Sequence, residues 1–195
     1  MEDHELLRLA GKGDLEAYNK IVRKYQLRLL RYCYRYLLDA QLAEDAVQEV
    51  FVKVFKYAPK FEPRATVSAF LYRVARNHCL DMLKAKRRRK AISFSQMISD
   101  DSDTKSIEAV IESDAPLPER NMMVDEARDA FHDALEELPE KHRSALMLFE
   151  LEHLSYKEIA QVLDASLGEV KIWIYRARKK LTKLLGEDEK KDGNS

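Results

Sequence analysis

Apolar residues recur every three or four positions along most of this chain, a spacing typical of amphipathic helices. Five glycines and five prolines in 195 residues leave few breaks in that pattern. Two apolar stripes come first: Ala17, Ile21, Val22, Tyr25, Leu29, Tyr32, Cys33 and Tyr36, then Ala43, Ala46, Val47, Val50, Phe51, Val54 and Phe55. A loop between Pro59 and Ser68 precedes a third stripe of Phe70, Leu71, Val74 and Leu83. The pattern predicts an all-α fold whose first domain covers residues 1–92.

The helical pattern weakens between residues 93 and 119, where Ser and Asp dominate and Pro116 and Pro118 close the stretch. Such a composition predicts a flexible acidic linker. Periodicity resumes in residues 120–187 and gives way to a charged tail at 188–195. The chain is therefore predicted to form two small helical domains joined by this linker.

Residues 154–181 of the second domain have the pattern of a helix-turn-helix. Ser155 with Glu158, and Ser166 with Glu169, each form a capping box that starts a helix, and only a short turn separates the two helices. The second helix is predicted to bury Val170, Ile174, Ala177 and Leu181. Its opposite face is predicted to present Lys171, Ile172, Tyr175, Arg176 and Lys179. Cations suit phosphates, Arg suits guanine edges and Ile suits a thymine methyl, so this face favours the DNA major groove. The alternative is an ordinary helical hairpin with a solvated basic face.

Trp173, the only tryptophan in the chain, lies beside the buried stripe of this second helix. It has two possible roles: packing against the preceding helices, or exposure as an anchor for a protein partner. Packing is favoured, because an exposed Trp is uncommon on a small domain.

The basic and acidic side chains are unevenly distributed, although the net charge is zero. Residues 1–90 carry +9, residues 91–120 carry −5 and residues 121–195 carry −4. A local field steers a polyanion whatever the total charge, so the first domain remains suited to nucleic acid. The opposite charges also predict that the free chain is compact at low salt and more extended at high salt.

The third predicted helix ends in a basic run over residues 84–90. Alone, such a run is as consistent with a solvated charged face as with a binding site. Arg73, Arg76 and Asn77 on the same helix, with the aromatics Phe70 and Tyr72, favour nucleic acid, because cations follow phosphates while aromatic rings support unstacked bases.

The helix predicted at residues 42–57 carries four polar residues on its exposed face: Glu44, Asp45, Gln48 and Glu49. Acids in a first turn complement the helix dipole, and the pattern alone favours that explanation. The alternative is a docking surface for a basic protein partner.

No catalytic constellation is present in the sequence. The five histidines lack metal-ligand spacing, and there is no glycine-rich phosphate loop, so neither an enzyme nor a cofactor is predicted. Cys33 and Cys79 lie among apolar helical residues, which favours buried reduced thiols over a disulfide. No apolar run spans a bilayer, so a cytoplasmic protein without membrane insertion is expected.

Three segments resemble bacterial sigma factors. Residues 42–51, LAEDAVQEVF, resemble the helix that binds core RNA polymerase. Residues 69–77, AFLYRVARN, followed by Asp81, resemble the helix that melts the promoter and reads its −10 element. Residues 154–181 resemble the helix-turn-helix that reads the −35 element. Their order and the short linker between them resemble the extracytoplasmic-function (ECF) group.

The resemblance implies a sigma factor without catalytic activity that gives core polymerase its promoter specificity. It implies binding of the polymerase β′ clamp helices through Glu44, Asp45, Gln48 and Glu49, and contact with the β flap. It implies −10 contacts by Lys60, Arg64, Phe70, Arg73, Arg76, Asn77, Lys84, Arg87 and Arg88. It implies −35 contacts by Lys171, Ile172, Tyr175, Arg176, Arg178 and Lys179. An anti-sigma factor is a further implied partner.

The sequence departs from the sigma-factor pattern at three places. Phe70 replaces a frequent Trp, Asp164 replaces a frequent Gly in the turn, and Ile172-Trp173 replaces a small residue followed by a basic one. Asp tolerates left-handed backbone better than most residues, so the turn should form. Two other functions remain as alternatives: a helix-turn-helix regulator that acts without polymerase, and an adaptor that docks on polymerase without melting DNA.

Overall fold

The computed structural model describes residues 2–61, 65–99 and 130–192, with side chains described up to residue 89 in the second range and residue 186 in the third. Within these ranges all regular structure is helical. The helices of the first bundle are α1 (Asp3–Ala10), α2 (Leu15–Leu37), α3 (Ala40–Tyr57) and α4 (Val67–Ser99), with a 3₁₀ turn at Ala58–Lys60. Those of the second are α5 (the helical residues 130–136), α6 (Glu140–Glu150), α7 (Tyr156–Leu163) and α8 (Leu167–Asp192). The all-α prediction is confirmed.

The first bundle forms around α2, which packs against α1, α3 and α4. Asp14 caps α2 by accepting from the Ala17 N–H, and Asp39 caps α3 by accepting from the Leu42 N–H. Most of both predicted stripes points inward, with Ile21, Leu29 and Val50 fully buried. Two members differ from the prediction: Val22 is half-buried, and Phe55, in the last turn of α3, is 38% exposed. Apolar burial of this kind is the main stabilising contribution in a bundle. The sequence pattern did not predict α1, whose eight residues bury only Leu6, Leu7 and Ala10.

Helix α4 differs from its prediction in length and in the face that it buries. It extends to Ser99, into the stretch where the helical pattern of the sequence weakens. Its buried residues are Val67, Ala69, Leu71, Tyr72, Ala75 and Cys79, whereas Phe70, Val74 and Leu83 are only half-buried. The buried arc is wide because α4 is covered by α2 and α3 on one side and by α7 on the other. The linker predicted to begin at residue 93 therefore begins later, because residues 93–99 belong to α4, and its remaining residues, 100–119, lie outside the described residues.

The helix-turn-helix begins as predicted, but its second helix continues past the predicted end at residue 181 to Asp192, into the predicted charged tail. Both capping boxes are present: Ser155 and Glu158 bond reciprocally at the start of α7, and Ser166 and Glu169 do so at the start of α8. Asp164 ends α7 in the left-handed region with φ 51°, and its N–H donates to the Ala160 carbonyl. The turn therefore uses an Asp to obtain the backbone that a Gly would adopt freely.

The left-handed backbone at Asp164 gives a test of the turn. Asp164→Gly should leave the free energy of unfolding within about 1 kcal/mol of the parent, because relief of the Cβ contact offsets the added freedom of the unfolded chain. Asp164→Val should lower it by roughly 1–2 kcal/mol, because a β-branched side chain resists positive φ. Denaturant unfolding followed by circular dichroism measures both, with Asp164→Asn as the matched control. A Val variant as stable as the Gly variant would contradict this account of the turn.

Candidate DNA-binding and polymerase-docking surfaces

Helix α8 displays the face that the sequence predicts for the DNA major groove. Its inner stripe is buried, with Val170 and Ala177 fully so. On the outer face, Ile172 is 48% exposed and Tyr175 is 66% exposed. The other members of this exposed face are Lys171, Arg176 and Lys179. Together these side chains give the face cations for phosphates and apolar groups for base edges, the composition that suits the DNA major groove.

Arg178 belongs to the edge of this face, not to its centre. Its Nε donates to Glu150 Oε1 at 2.8 Å, and its guanidinium lies 5.2 Å from the centre of the Phe149 ring. The sequence groups Arg178 with the DNA-facing residues, whereas the structure directs it onto α6. A contact between Arg178 and DNA requires this ion pair to be given up.

Trp173 packs, as the sequence favours. It is half-buried against the core of the second bundle, and its ring lies 5.1 Å from Lys141 Nζ and 6.4 Å from the His142 ring. Burial, and after it the nearby Arg176 guanidinium, lower the pKa of His142, which keeps this imidazole neutral near pH 7. Trp173 thus packs from α8 against α6, and this contact fixes the direction in which the neighbouring Ile172 projects.

Most of the predicted −10 residues on α4 and the preceding turn are exposed. They are Lys60, Arg73, Asn77, Lys84, Arg87 and Arg88, with Phe70 half-buried. Arg64 lies outside the described residues. Lys84 faces Asp81 one turn away at 3.9 Å, a weak exposed pair that leaves the ammonium group available.

Tyr72 contradicts the sequence prediction of a DNA-facing ring. It is fully buried, it packs edge-on against Tyr32 with ring centres 5.1 Å apart, and its hydroxyl donates to Glu152 of the second bundle. Burial, followed by the hydrogen bond to Glu152, raises the pKa of Tyr72 well above its ordinary value. Helical spacing could not reveal this, because the covering group comes from a part of the chain 80 residues away.

Arg76 is also less available than predicted. Its Nη2 donates to both carboxylate oxygens of Glu140 at 2.7 Å, and its Nε donates to Ser144 Oγ at 3.2 Å. Only 12% of its side chain is exposed. A bidentate pair of this geometry holds the guanidinium firmly, so Arg76 is not free for DNA in this arrangement.

An aromatic row beside Phe70 was not predicted from the sequence. Phe70 lies 5.1 Å from Tyr57 and 5.4 Å from Phe61, measured between ring centres, and Phe61 lies 5.7 Å from His4. Tyr57 is 47% exposed. The row adjoins the loop before α4, and the clustering of aromatic residues around Pro59 is the sequence signal that could have revealed it. Exposed rings of this kind are suitable stacking platforms for unpaired bases.

Helix α3 presents all four predicted docking residues to solvent: Glu44, Asp45, Gln48 and Glu49. Beside them is a shallow groove of about 270 Å³, which includes Leu27, Leu30 and Val47 in its lining. Leu27 is 54% exposed. Glu44 and Gln48 line this groove together with its apolar residues, so part of the acidic face of α3 adjoins exposed apolar surface, a combination that the helix dipole alone does not account for.

The described residues offer no site for metal or membrane chemistry. No group of three or more His, Cys, Asp or Glu among them is placed to hold a metal ion, and no described helix is long and apolar enough to cross a bilayer. Cys33 and Cys79 are free and fully buried, as predicted. A hydrogen bond with Cys33, and then burial, raise the pKa of Cys79, so this thiol is protonated and unreactive.

An all-helical chain that displays both a DNA-facing helix-turn-helix and an acidic protein-docking helix belongs among the transcription factors. Comparison with known proteins defines the class further. Residues 21–89 match the family model of sigma-70 region 2, and residues 128–181 match that of sigma-70 region 4. The chain belongs to the ECF group of the sigma-70 family. It is an RNA polymerase sigma factor that binds promoter elements, and it is not an enzyme. This decides against a regulator that acts without polymerase.

Individual relatives agree with this assignment. The chain is 34% identical to the RNA polymerase sigma-H factor of Pseudomonas aeruginosa, over 94% of each chain. It is also 34% identical to the ECF RNA polymerase sigma-E factor of Escherichia coli K12, over 91% of each. Its fold is similar to that of CnrH in complex with the cytosolic domain of CnrY, with a TM-score of 0.70 and 22% identity over 95% of this chain and 98% of that one.

The exposed face of α8 gives a test of which cations contact DNA. Arg176→Ala should cost roughly 1–3 kcal/mol and relax specificity at one base pair if Arg176 binds a guanine edge. Lys171→Ala should weaken binding to all sequences and reduce the salt dependence. Arg178→Ala, the matched control, should change affinity less than either, because its partner is Glu150.

The measurement is selection of the full chain on a randomised duplex library, followed by affinities of the selected duplexes across a salt series. If Arg178→Ala has the largest effect and the other two variants bind as the parent does, the wrong edge of α8 has been chosen.

Proposed function

We propose that this sigma factor docks on core RNA polymerase through α3 and reads its promoter with α8 and α4. The observation that carries the proposal is that one chain displays three separate chemically suited faces: acidic on α3, basic and apolar on α8, and basic with aromatic neighbours on α4. Family membership supports the order of these roles along the chain.

The docking step uses Glu44, Asp45, Gln48 and Glu49 against the β′ clamp helices. Helical spacing places these four side chains on one face, and their carboxylates suit a basic partner. The apolar groove beside them supplies contact area at Leu27 and Leu30. The charges then set orientation and association rate, and the groove contributes burial.

A second polymerase contact is proposed on the other bundle, for the β flap. An apolar groove of about 350 Å³ lies between α5, α6 and α8. Its lining includes Phe131, Leu135, Leu146, Met147, Leu181 and Leu185. Phe131 is 38% exposed, which is consistent with a groove that a helical partner fills.

Promoter reading is divided between the two bundles. On α8, Lys171, Arg176 and Lys179 hold phosphates or guanine edges of the −35 element, while Ile172 and Tyr175 contact base edges. On α4, Lys84, Arg87 and Arg88 follow the backbone of the −10 element, with Arg73 and Lys60 beside them.

Melting is proposed to depend on capture of an unpaired −10 base. Asn77 is exposed and offers both a donor and an acceptor to a base edge. Phe70, supported by Tyr57 and Phe61, offers a ring on which a neighbouring base stacks. Flipping a base costs a few kcal/mol, and stacking on an aromatic ring returns about 1–3 kcal/mol, so capture biases the DNA toward the melted state.

Control by an anti-sigma factor in the cytoplasm completes the proposal. CnrH is known in complex with the cytosolic domain of CnrY, and a sigma factor RpoE of Bartonella quintana with the anti-sigma factor NepR. The same exposed faces that bind polymerase are the natural targets of such an inhibitor here, because covering either groove prevents assembly.

Run-off transcription with purified core polymerase and a promoter library tests the whole proposal. The chain should direct specific initiation, which neither a free regulator nor a non-melting adaptor would do. Loss of all initiation with a correctly folded chain would refute the proposed function.

Charge reversal on α3 tests the docking step. Asp45→Lys together with Glu49→Lys should weaken core binding about tenfold or more, because like charges then face the basic partner. Folding should be unchanged, since both side chains are exposed. Glu2→Lys together with Glu16→Lys, an equal charge change at exposed positions just before α1 and in the first turn of α2, is the control. Co-purification of the α3 variant with core polymerase at the parental level would rule out this docking face.

A further inference from the structure

Three polar contacts join the two bundles along one face of α4. Ser68, Tyr72 and Arg76 lie four residues apart on this helix, so their side chains form a single row. Each member of the row bonds to an acidic residue of the second bundle: Ser68 to Glu158, Tyr72 to Glu152 and Arg76 to Glu140. We call this row and its three acidic partners the latch.

Glu152 is the centre of the latch. It is only 4% exposed, yet it is not on a helix and follows directly after α6. Its Oε1 accepts from Arg35 Nη1 at 3.3 Å, its Oε2 accepts from the Tyr72 hydroxyl, and its backbone carbonyl accepts from Arg28 Nη2 at 2.7 Å. All three donors belong to the first bundle, so while Glu152 is buried its hydrogen bonds depend on the contact between the bundles.

Side-chain hydrogen bonds and an ion pair also join the two bundles at each end of the latch. At one end, the hydroxyls of Ser68 and Thr66 donate to Glu158 Oε1 at 2.8 and 2.9 Å. At the other, Arg76 holds Glu140, and the buried Ser144 hydroxyl bonds to the Tyr36 hydroxyl at 2.6 Å. Basic groups of the first bundle thus meet acids of the second, the polarity that the charge distribution predicts.

The latched arrangement is incompatible with promoter binding. The −10 and −35 elements are named for positions about 25 base pairs apart, which at about 3.4 Å per base pair is roughly 85 Å along B-DNA. In the structure α4 is in direct contact with α7, the first helix of the helix-turn-helix. The faces proposed for the two elements therefore cannot reach both at once until the bundles separate.

The latch also restricts access to the −10 face itself. A cleft of about 800 Å³ separates α4 from the second bundle, with Arg76, Asp81, Lys84 and Arg87 on one wall and Glu136, Glu140 and Arg143 on the other. Glu140 already occupies Arg76, and the second bundle covers this side of α4, so a phosphate backbone has restricted access to it. By contrast, the docking face of α3 and the outer face of α8 remain in solvent.

We propose that the latch is an autoinhibitory contact, built into this chain, that keeps the free sigma factor able to dock on polymerase but unable to read a −10 element. Polymerase opens it by binding the two bundles at separate places. The proposal relies on the −10 and −35 assignments above for its functional meaning, although the latch itself can be tested without promoter or polymerase.

The test is small-angle scattering of the full free chain and two variants that remove the central charge pair from opposite sides. Glu152→Gln preserves shape and removes the charge, and Arg35→Gln removes a partner on the first bundle. Both should raise the radius of gyration above the compact value of about 16 Å expected for a chain of this length. Glu137→Gln, which breaks the pair with Lys180 inside the second bundle, should not. Circular dichroism checks that each variant is folded. If one variant does not fold, the other, which changes a residue of the other bundle, still tests the proposal.

Binding of a random single-stranded 20-mer pool provides the functional measurement. Apparent affinity rises with the fraction of molecules that are open, so both latch variants should bind about tenfold more tightly than the parent and the control. The double variant should gain little beyond either single one, because both remove the same interaction.

Each outcome is decisive. A parental radius of gyration in both folded latch variants, or an increased radius without tighter binding, would overturn the proposal. Tighter binding by the open variant that Arg73→Ala fails to reduce would instead count against the −10 assignment and leave the latch in place.

Discussion

Glu152 has almost no contact with water, and a carboxylate in that position must obtain its hydrogen bonds from protein. Here every described partner of its side chain comes from the first bundle: Arg28, Arg35 and the Tyr72 hydroxyl. Removal of one partner from a buried ion pair typically costs about 3–5 kcal/mol, since the remaining charge is left uncompensated. The position of the second bundle on α4 therefore depends on this group more than on any other single contact.

The polar character of this contact matters for its reversibility. Two bundles joined by a wide apolar surface would behave as an obligate assembly, because separation would expose that surface to water. The contact here is mixed: buried apolar residues of the two bundles form one continuous cluster, and carboxylates, guanidinium groups and hydroxyls lie within it. The polar groups lose less on opening than apolar ones, since each of them is well solvated once it is exposed. Polar groups buried in the closed state thus provide geometry and specificity, while apolar residues such as Leu29 and Ile174 hold each bundle together internally.

The sequence predicts features that depend on residues close together in the chain, but not contacts between residues that are far apart in it. Both capping boxes, the turn at Asp164 and the buried stripe of α8 follow from spacing of four residues or fewer, and all were predicted correctly. Tyr72 and Arg178 were assigned to DNA because their neighbours on the helix are basic. Their actual partners, Glu152 and Glu150, are 80 and 28 residues away, and no periodic pattern contains that information. The same limit applies to Phe61, whose role depends on a ring that α4 brings beside it.

The exposed faces and the buried contact together determine the order of events. A ligand shifts a conformational equilibrium only by its difference in affinity for the two states. DNA alone is expected to bind the −10 face of the closed chain weakly. Arg76 is paired with Glu140, and acidic residues are among those that line the cleft beside it. Glu44 and Asp45, by contrast, are exposed in the closed chain, so the proposed docking face meets no such obstacle. On the proposal above, docking therefore precedes opening, and opening creates the −10 site, so that −10 recognition would be a property of the assembled polymerase while the α8 face is accessible in both states.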